Sequence, residues 1–437
     1  MKILKFGGTS VGSAQRMKDV ATLICDGTPK IVVLSAMSGT TNSLVEISGY
    51  LYKKNTEEAI KIINVMTDKY LAVIKDLYNT DEYRMKAKEV IMSIFDLIRS
   101  FVKEPFTLFE EKIILAQGEM LSNNMMNFYL QEQGIKSVLI PALDYMRTDK
   151  HAEPDFAYIK KRLHTLLKEN KDAELYLTQG YICRNVNGDI DNLERGGSDY
   201  TASLIGAAVE AEEIQIWTDI DGMHNNDPRI VEKTSPVRQL HFDEAAELAY
   251  FGAKILHPTC IQPAKLHNIP VRLLNTMQPD ALGTTISNKM VEGKIKAVAA
   301  KDDITAIKIK SGRMLLAAGF LCKIFEIFEQ YKTPIDIVTT SEVGVSVTID
   351  HCRHLDEIVT DLKKYGAVTV DQDMTIVCVA GDFKWDNVGF ESKIIYALKD
   401  IPVRMISYGG SNFNVSLLVN SSDKNKALRA LSDHLFL

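Results

Sequence analysis

The chain has 437 residues, 46% hydrophobic and 25% charged, enough apolar material for large cores spread over two or three domains, which excludes a disordered chain. Its formal net charge of -6 is the wrong sign for a phosphate backbone, so nucleic acid is not expected as a partner. The six cysteines are scattered without a Cys-x-x-Cys, no apolar run approaches membrane-spanning length, and the N-terminus enters a strand directly, so a soluble cytoplasmic protein with reduced thiols and no membrane partner is expected.

The first element is a strand through Ile3, Leu4 and Phe6, and it breaks at Gly7-Gly8 before Thr9-Ser10 and a helix. Adjacent glycines let backbone N–H groups approach an anion, the helix start adds unpaired donors, and Lys5 adds a full charge, as a transferring phosphoryl group requires. For Gly-Gly alone, an ordinary strand-to-helix turn with a solvated lysine is the simpler reading; the whole run Lys5 to Val11 is far more specific. It is not a Walker A loop, because no Gly-x-x-x-x-Gly-Lys-Ser/Thr occurs.

Lys30 to Ser35 reads as a buried parallel strand feeding a polar loop, residues 35–42. From Ser43 to Phe128 the apolar spacing is helical, and most of that stripe is core. Within it, spacing alone makes Glu119 a solvated glutamate at a helix start. Ser137 to Ile140 is a strand, Tyr158 to Leu167 a helix, and Leu175 to Ile182 a strand broken by Gly180; strands alternating with helices indicate an α/β sandwich with a mostly parallel sheet. A second glycine pair follows in Arg195-Gly196-Gly197-Ser198-Asp199, where Arg195 suits a bidentate carboxylate or phosphate clamp and Asp199 suits either an N-terminal cap or an organiser of lysine and metal. Glu213 to Asp219 is a strand opening into the polar loop 220–229, the kind of strand end at which α/β proteins present ligands. Phe242 to Leu256 reads as a helix stopped by Pro258, with Lys254 near its end. Ile269 to Asn275 is a late strand and Gly283 to Ile286 a final turn.

Beyond Ile304 a weak internal repeat appears. Its first copy runs strand Ile304–Ser311, helix Phe320–Tyr331, strands Ile335–Ser341 and Val345–Ile349, helix Leu355–Tyr365, strand Ala367–Val370. Its second runs strand Thr375–Ala380, helix Glu391–Leu398, strands Val403–Tyr408 and Val415–Val419, helix Lys424–Leu435. Both are ferredoxin-like βαββαβ units, the second lacking its last strand, which Ile295 to Ala300 would supply by interleaving. His351, Cys352 and His354 invite a zinc reading, but no second ligand pair lies at suitable spacing, and no metal site is assigned.

Lys5 to Val11, the Ser35 to Asn42 loop, Gly118-Glu119, Arg195 to Asp199, Trp217 to Arg229 and Phe251 to Pro258 match, in order, the signatures of the aspartokinases within the amino acid kinase family, and the repeat resembles that family's tandem ACT domains. The resemblance implies a kinase domain over residues 1–290, an ACT domain over 295–374 and a second over 375–437, in a monofunctional, lysine-sensitive enzyme. It implies transfer of a phosphoryl group from ATP, with Mg2+, to the side chain of L-aspartate, the first step toward lysine, threonine and methionine. Lys5 would stabilise the transferring group, cradled by Gly7, Gly8 and Ser10; Thr41, Glu119, Arg195 and Ser198 would hold aspartate; Asp199 would position Lys5 and the metal-bound phosphates. Thr218, Asp219, Arg229 and Lys254 would bind the nucleotide, with His224 standing where many members have tyrosine. Met314, Gly319, Phe320, Leu321, Ile335, Asp336, Ser341 and Glu342 match effector-binding segments, with L-lysine the implied effector. A homodimer or homotetramer through the ACT modules is implied as well. The rival readings are an amino-acid sensor with weak turnover and a related carboxylate kinase of the same fold.

Overall fold

Strand β1 (Lys2–Phe6) buries Ile3, Leu4 and Phe6 because it runs inside a parallel sheet, covered on both faces. The computed structural model describes residues 1–193, 196–253, 257–312 and 318–436. Its contacts fall into two units, Met1–Met223 with Leu256–Asn288, and His224–Ile255 with Lys289–Leu437.

In the first unit β1 is followed by β2 (Lys30–Leu34), β3 (Ser137–Leu139), β4 (Leu175–Gln179), the hairpin pair β5 (Ile182–Arg184) and β6 (Ile190–Asn192), and β7 (Glu213–Thr218). After β8 (Gln239–His241), which belongs to the second unit, come β9 (Val271–Asn275) and β10 (Thr284–Ser287). The sheet order is β3-β4-β2-β1-β7-β9-β10, parallel except for β10. Every residue of β2 is buried, which is why it reads as an unbroken apolar run; burying its Ile31, Val32, Val33 and Leu34 side chains is worth roughly 1.5–3 kcal/mol each. The register sets Phe6 beside both Leu34 and Trp217, and Leu34 beside Gln179. The carboxyl ends of β1, β2, β4 and β7 are therefore level, and their loops emerge together.

The helical stripe of residues 43–128 resolves into α2 (Thr40–Tyr52), α3 (Thr56–Leu77), α4 (Asp81–Ser100) and α5 (Leu108–Glu132), after α1 (Ala14–Ile24). Their facing sides form one core, with Tyr70 and Phe95 packed edge-on at 5.7 Å. The remaining helices of this unit are α6 (Phe156–Glu169), α7 (Gly197–Ala208) and, after α8 (Phe242–Tyr250) of the second unit, α9 (Pro258–Leu266). The helix expected to reach Leu256 ends at Tyr250, because Gly252 takes φ 106, which no helical residue adopts.

The second unit is built on an antiparallel sheet of order β12-β13-β11-β14-β16-β15, from β11 (Ile295–Lys310), β12 (Val338–Ser341), β13 (Gly344–Ile349), β14 (Ala367–Gly381), β15 (Val403–Ser407) and β16 (Asn414–Asn420). Its helices are α8, α10 (Phe320–Gln330), α11 (Leu355–Leu362), α12 (Phe390–Ala397) and α13 (Lys424–Leu435). Residues 295–300 and 304–311, read as two strands, are one strand, as are 367–370 and 375–380. β11 runs against β14 from Ile295↔Gly381 to Lys310↔Ala367, with a register shift between Lys301 and Ile304 where Asp303 takes φ 61. β12 starts at Val338 rather than Ile335, since Asp336 N–H bonds Thr348 O at 2.9 Å outside the β12–β13 ladder. Among the described residues, no helix is long and apolar enough to cross a membrane.

Candidate active site

At the end of β1 the Gly7 N–H donates to Trp217 O at 3.1 Å and the Ser38 N–H donates to Gly8 O at 3.0 Å, stitching the 7–10 turn to both neighbouring strand ends. A Cβ at Gly8 would stand 2.7 Å from the Ala36 carbonyl oxygen, so only glycine lets the two backbones approach this closely. Beside them opens a cavity of about 480 Å³, bounded by Gly7, Gly8, the 35–39 loop, Thr41, Asn42, Glu119, Tyr181, Gly197, Ser198 and Thr218. Two helices begin at it. α2 is preceded by Gly39 at φ 82 and α7 by Gly196 at φ 76, and neither has a side-chain cap. The Thr40 N–H already donates to Met37 O at 3.0 Å and the Asp199 N–H to Gly196 O at 3.1 Å, so among the described residues the N–H groups of Thr41, Asn42, Gly197 and Ser198, all at the cavity, are the donors left for an anion.

Lys5, on β1, pairs with Asp199, in the first turn of α7, at 2.7 Å. The pair is mostly buried, and Asp199 Oδ1 accepts no hydrogen bond among the described residues despite that contact, which leaves it acceptor capacity for a further ligand. Glu119 lies in the middle of α5, 5% exposed, not at a solvated helix start. α5 begins instead at Leu108, where Thr107 and Glu110 form a reciprocal capping box. Burial pushes the Glu119 carboxyl up to about 8, opposed by the Ala36 N–H, which it accepts at 3.3 Å, and by the charge of Lys5.

Ser10 is fully buried, and its hydroxyl shares a 2.7 Å hydrogen bond with Thr276 rather than lining the cavity. Thr218 closes one side, its hydroxyl donating to Asp219 at 3.1 Å. Arg195, Lys254 and Met314 lie outside the described residues. Tyr181 was not singled out from the sequence, although the glycine break before it marks the place; it lines the cavity at φ 67, its N–H bonded to Thr201 Oγ1 at 3.0 Å.

Gly180 seats α7 against the end of β4, since a Cβ there would come 2.7 Å from Ser198 Cα. Gly180→Ala is expected to cost about 1–3 kcal/mol by overpacking, read as a lower urea midpoint at unchanged slope. An unchanged midpoint would mean that the α7 turn shifts freely.

In the second unit, His224 Nδ1 and Thr234 Oγ1 are hydrogen-bonded at 2.7 Å, and Arg229 grips Asp227 through both carboxylate oxygens at 2.9 and 2.7 Å, holding the Asp227 carboxyl below its usual range. Gly319 precedes α10 at φ 82, Phe320 is buried in the core, Ile335 packs against it, and Leu321, Ser341 and Glu342 are exposed. The Asp336 carboxylate is already engaged: Lys301 Nζ lies at 2.7 Å and the Tyr250 hydroxyl donates at 3.1 Å, while Lys301 also pairs with Asp350 at 2.8 Å. No group of three His, Cys, Asp or Glu side chains among the described residues is gathered as metal ligands, and His351, Cys352 and His354 border a separate cavity of about 620 Å³.

Residues 1–275 match the model of the amino acid kinase family, and residues 377–435 match an ACT domain. Aspartokinase 1, chloroplastic, of Arabidopsis thaliana is 33% identical over 99% of this chain and 80% of its own length. Among solved structures, E. coli aspartokinase III in complex with aspartate and ADP (R-state) superposes with a TM-score of 0.86 at 29% identity over all of both chains. The same enzyme in complex with lysine and aspartate (T-state) gives 0.79 at 30% identity over all of both chains.

Proposed function

Because the chain belongs to the amino acid kinase family and, within it, to the aspartokinases, we propose that it transfers the γ-phosphoryl group of ATP to the β-carboxylate of L-aspartate, forming 4-phospho-L-aspartate. The observation that carries this reading is the Lys5–Asp199 pair set beside a cavity that two uncapped helix starts and Glu119 share. A carboxylate is already a nucleophile at neutral pH, so no strong base is needed, and catalysis reduces to aligning two anions and neutralising their repulsion.

Lys5 neutralises charge on the transferring group, Gly7 and Gly8 let backbone N–H groups close on it, and Asp199 keeps the ammonium in place. Glu119 takes the substrate ammonium, with Thr41, Ser198 and Arg195 on the rest of the molecule. Thr218 and Asp219, with His224, Arg229 and Lys254, serve the nucleotide. Asp199 Oδ1, with Lys5 Nζ 2.7 Å away, keeps a lone pair that would fit a place beside metal-bound phosphate. Mg2+, when bound with ATP, would supply charge neutralisation on the β- and γ-oxygens.

Regulation by L-lysine in the first ACT module follows the same reading, supported by the lysine complex of the E. coli relative. An effector ammonium at Asp336 would have to exchange with that of Lys301, and a coupling of typically 1–3 kcal/mol would suffice for inhibition. The pairing of Ile295 to Lys301 with Gly381 to Ile376 supports an interleaved arrangement, in which β11 and β14 each run from one ACT module into the other. Pairing of ACT modules across chains, into a dimer or dimer of dimers, belongs to the proposal and is measured by light scattering.

The test is trapping of the acyl phosphate with hydroxylamine, using full-length protein, MgATP and L-aspartate, with and without L-lysine. Hydroxamate that depends on aspartate and is suppressed by lysine is the expected result. Formation without suppression would remove lysine as effector, and no hydroxamate with aspartate would hand the chain to the sensor reading or to another carboxylate.

A further inference from the structure

Two adjacent side chains of α3 reach the same turn of the cavity wall. Lys69 Nζ donates to the Ser38 carbonyl oxygen at 2.8 Å, and the Tyr70 hydroxyl shares a 2.8 Å hydrogen bond with Thr40 Oγ1. Between the two grips stands Gly39 at φ 82, the residue that starts α2, and directly after them Thr41 and Asn42 line the cavity. α3 itself contributes nothing to that lining.

The turn is closed by the Thr40 N–H on Met37 O at 3.0 Å and tied to β1 by the Ser38 N–H on Gly8 O at 3.0 Å, and side chains of α3 add to these backbone bonds. A glycine N-cap carries the largest backbone entropy to be lost, and here no side chain caps the helix start. Tyr70 is suited to this added support, because its ring is wholly buried and wedged against Phe95, so the hydroxyl arrives on a rigid platform. Lys69 is exposed, and an exposed lysine held on a carbonyl adds little to global stability. What it does restrain is the position of one peptide at the cavity wall. From the opposite side the loop is held by α5, through Ser122 Oγ on Ser35 O at 2.8 Å and the Ala36 N–H on Glu119 at 3.3 Å.

We propose that Lys69 and Tyr70 are positioning residues for the substrate aspartate: they clamp the Ser38–Gly39–Thr40 turn so that Thr41 and the opening N–H groups of α2 stand at fixed distance from Glu119. The proposal rests on reading this cavity as the aspartate site. Neither side chain touches substrate, so both act through the turn.

Steady-state kinetics of Tyr70→Phe, Lys69→Met and Lys69→Arg, with aspartate and ATP varied separately, test it. Tyr70→Phe and Lys69→Met are each expected to raise the aspartate KM by about 3- to 10-fold, the worth of one hydrogen bond, with the ATP KM within about twofold of the parent. Lys69→Arg, which keeps a cationic donor, should restore most of the loss. Thr40→Val removes the other end of the tyrosine contact, and combined with Tyr70→Phe it should add little to either single change. Unmoved aspartate KM values, or KM values for both substrates rising in step with a falling Tm, would overturn the clamp. A parent enzyme that forms no aspartyl hydroxamate would sink the substrate assignment and the clamp with it, whereas an active parent with unmoved variants sinks the clamp alone.

Discussion

Lys5→Met is expected to lower kcat by about 10²- to 10³-fold, the loss seen when one preorganised donor to a developing charge is removed, while the aspartate KM changes far less. The reasoning starts from where the ammonium stands. β1 lies between β2 and β7, so its C-terminal residues are fixed by ladders on both sides, and Lys5 has almost no freedom to drift. Asp199 holds the ammonium at 2.7 Å, with the lysine side chain 11% exposed, so its charge is poorly screened by water. Charge that develops on the phosphoryl oxygens in the transition state meets a cation already in place, and that interaction strengthens as the reaction proceeds. Methionine keeps the length of the stem and removes the ammonium, its charge and its donors together. A variant that melts at a lower temperature yet turns over at the parental rate would make Lys5 merely the structural partner of Asp199. Stability read by circular dichroism alongside kcat separates the two.

The fold was legible where its causes are local. β2 is an apolar run because both of its faces are covered, and the break of β1 at Gly7-Gly8 carries its own turn chemistry. The helix expected directly after Thr9-Ser10 starts only at Ala14, where Ser13 Oγ caps it by accepting from the Arg16 N–H, so that helix start brings no donors to the cavity. The limits of α13 could be read directly, since its apolar spacing begins and stops with the helix. What could not be read depends on partners distant in the chain. Glu119 looks solvated by spacing, and its burial arises because Gly118 lets α5 close on the 35–39 loop, where a Cβ would stand 2.8 Å from Ala36 Cβ. The bend in β11 at Lys301–Ile304 imitates a gap between two strands, because a bulge and a turn use the same residue types. Asp336 looks like an open acidic group in sequence; only the crossing of α8 and β11 brings Tyr250 and Lys301 onto it. Tyr181 takes a positive φ that its residue type does not announce. The cavity itself was legible as a set of motifs, but the level strand ends that gather them are a property of register.

The aspartate KM should fall as pH rises, close to tenfold per unit below about pH 8 and then level off, and Glu119→Gln should flatten that profile while raising the KM. In the free protein, burial raises the Glu119 carboxyl to about 8, so near neutrality most molecules hold it protonated. A neutral acid cannot pair with an ammonium. Binding the substrate therefore selects the carboxylate, pulls its pKa down, and releases a proton, so the observed affinity carries the cost of deprotonation at every pH below the free-state value. The sign follows directly: fewer protons are bound in the complex than in the free protein, and raising the pH favours the complex. Ser122 Oγ, donating to Ser35 O at 2.8 Å, holds the loop beside this carboxylate whatever its charge, while the Ala36 N–H on Glu119 is stronger when the group is ionised. Calorimetric titration of aspartate in two buffers of different ionisation enthalpy reads the proton directly, with close to one released at pH 7 by the parent and none by Glu119→Gln. Equal proton release from both proteins would show that another group titrates, and a flat KM profile in the parent would mean that Glu119 is already ionised before the substrate arrives.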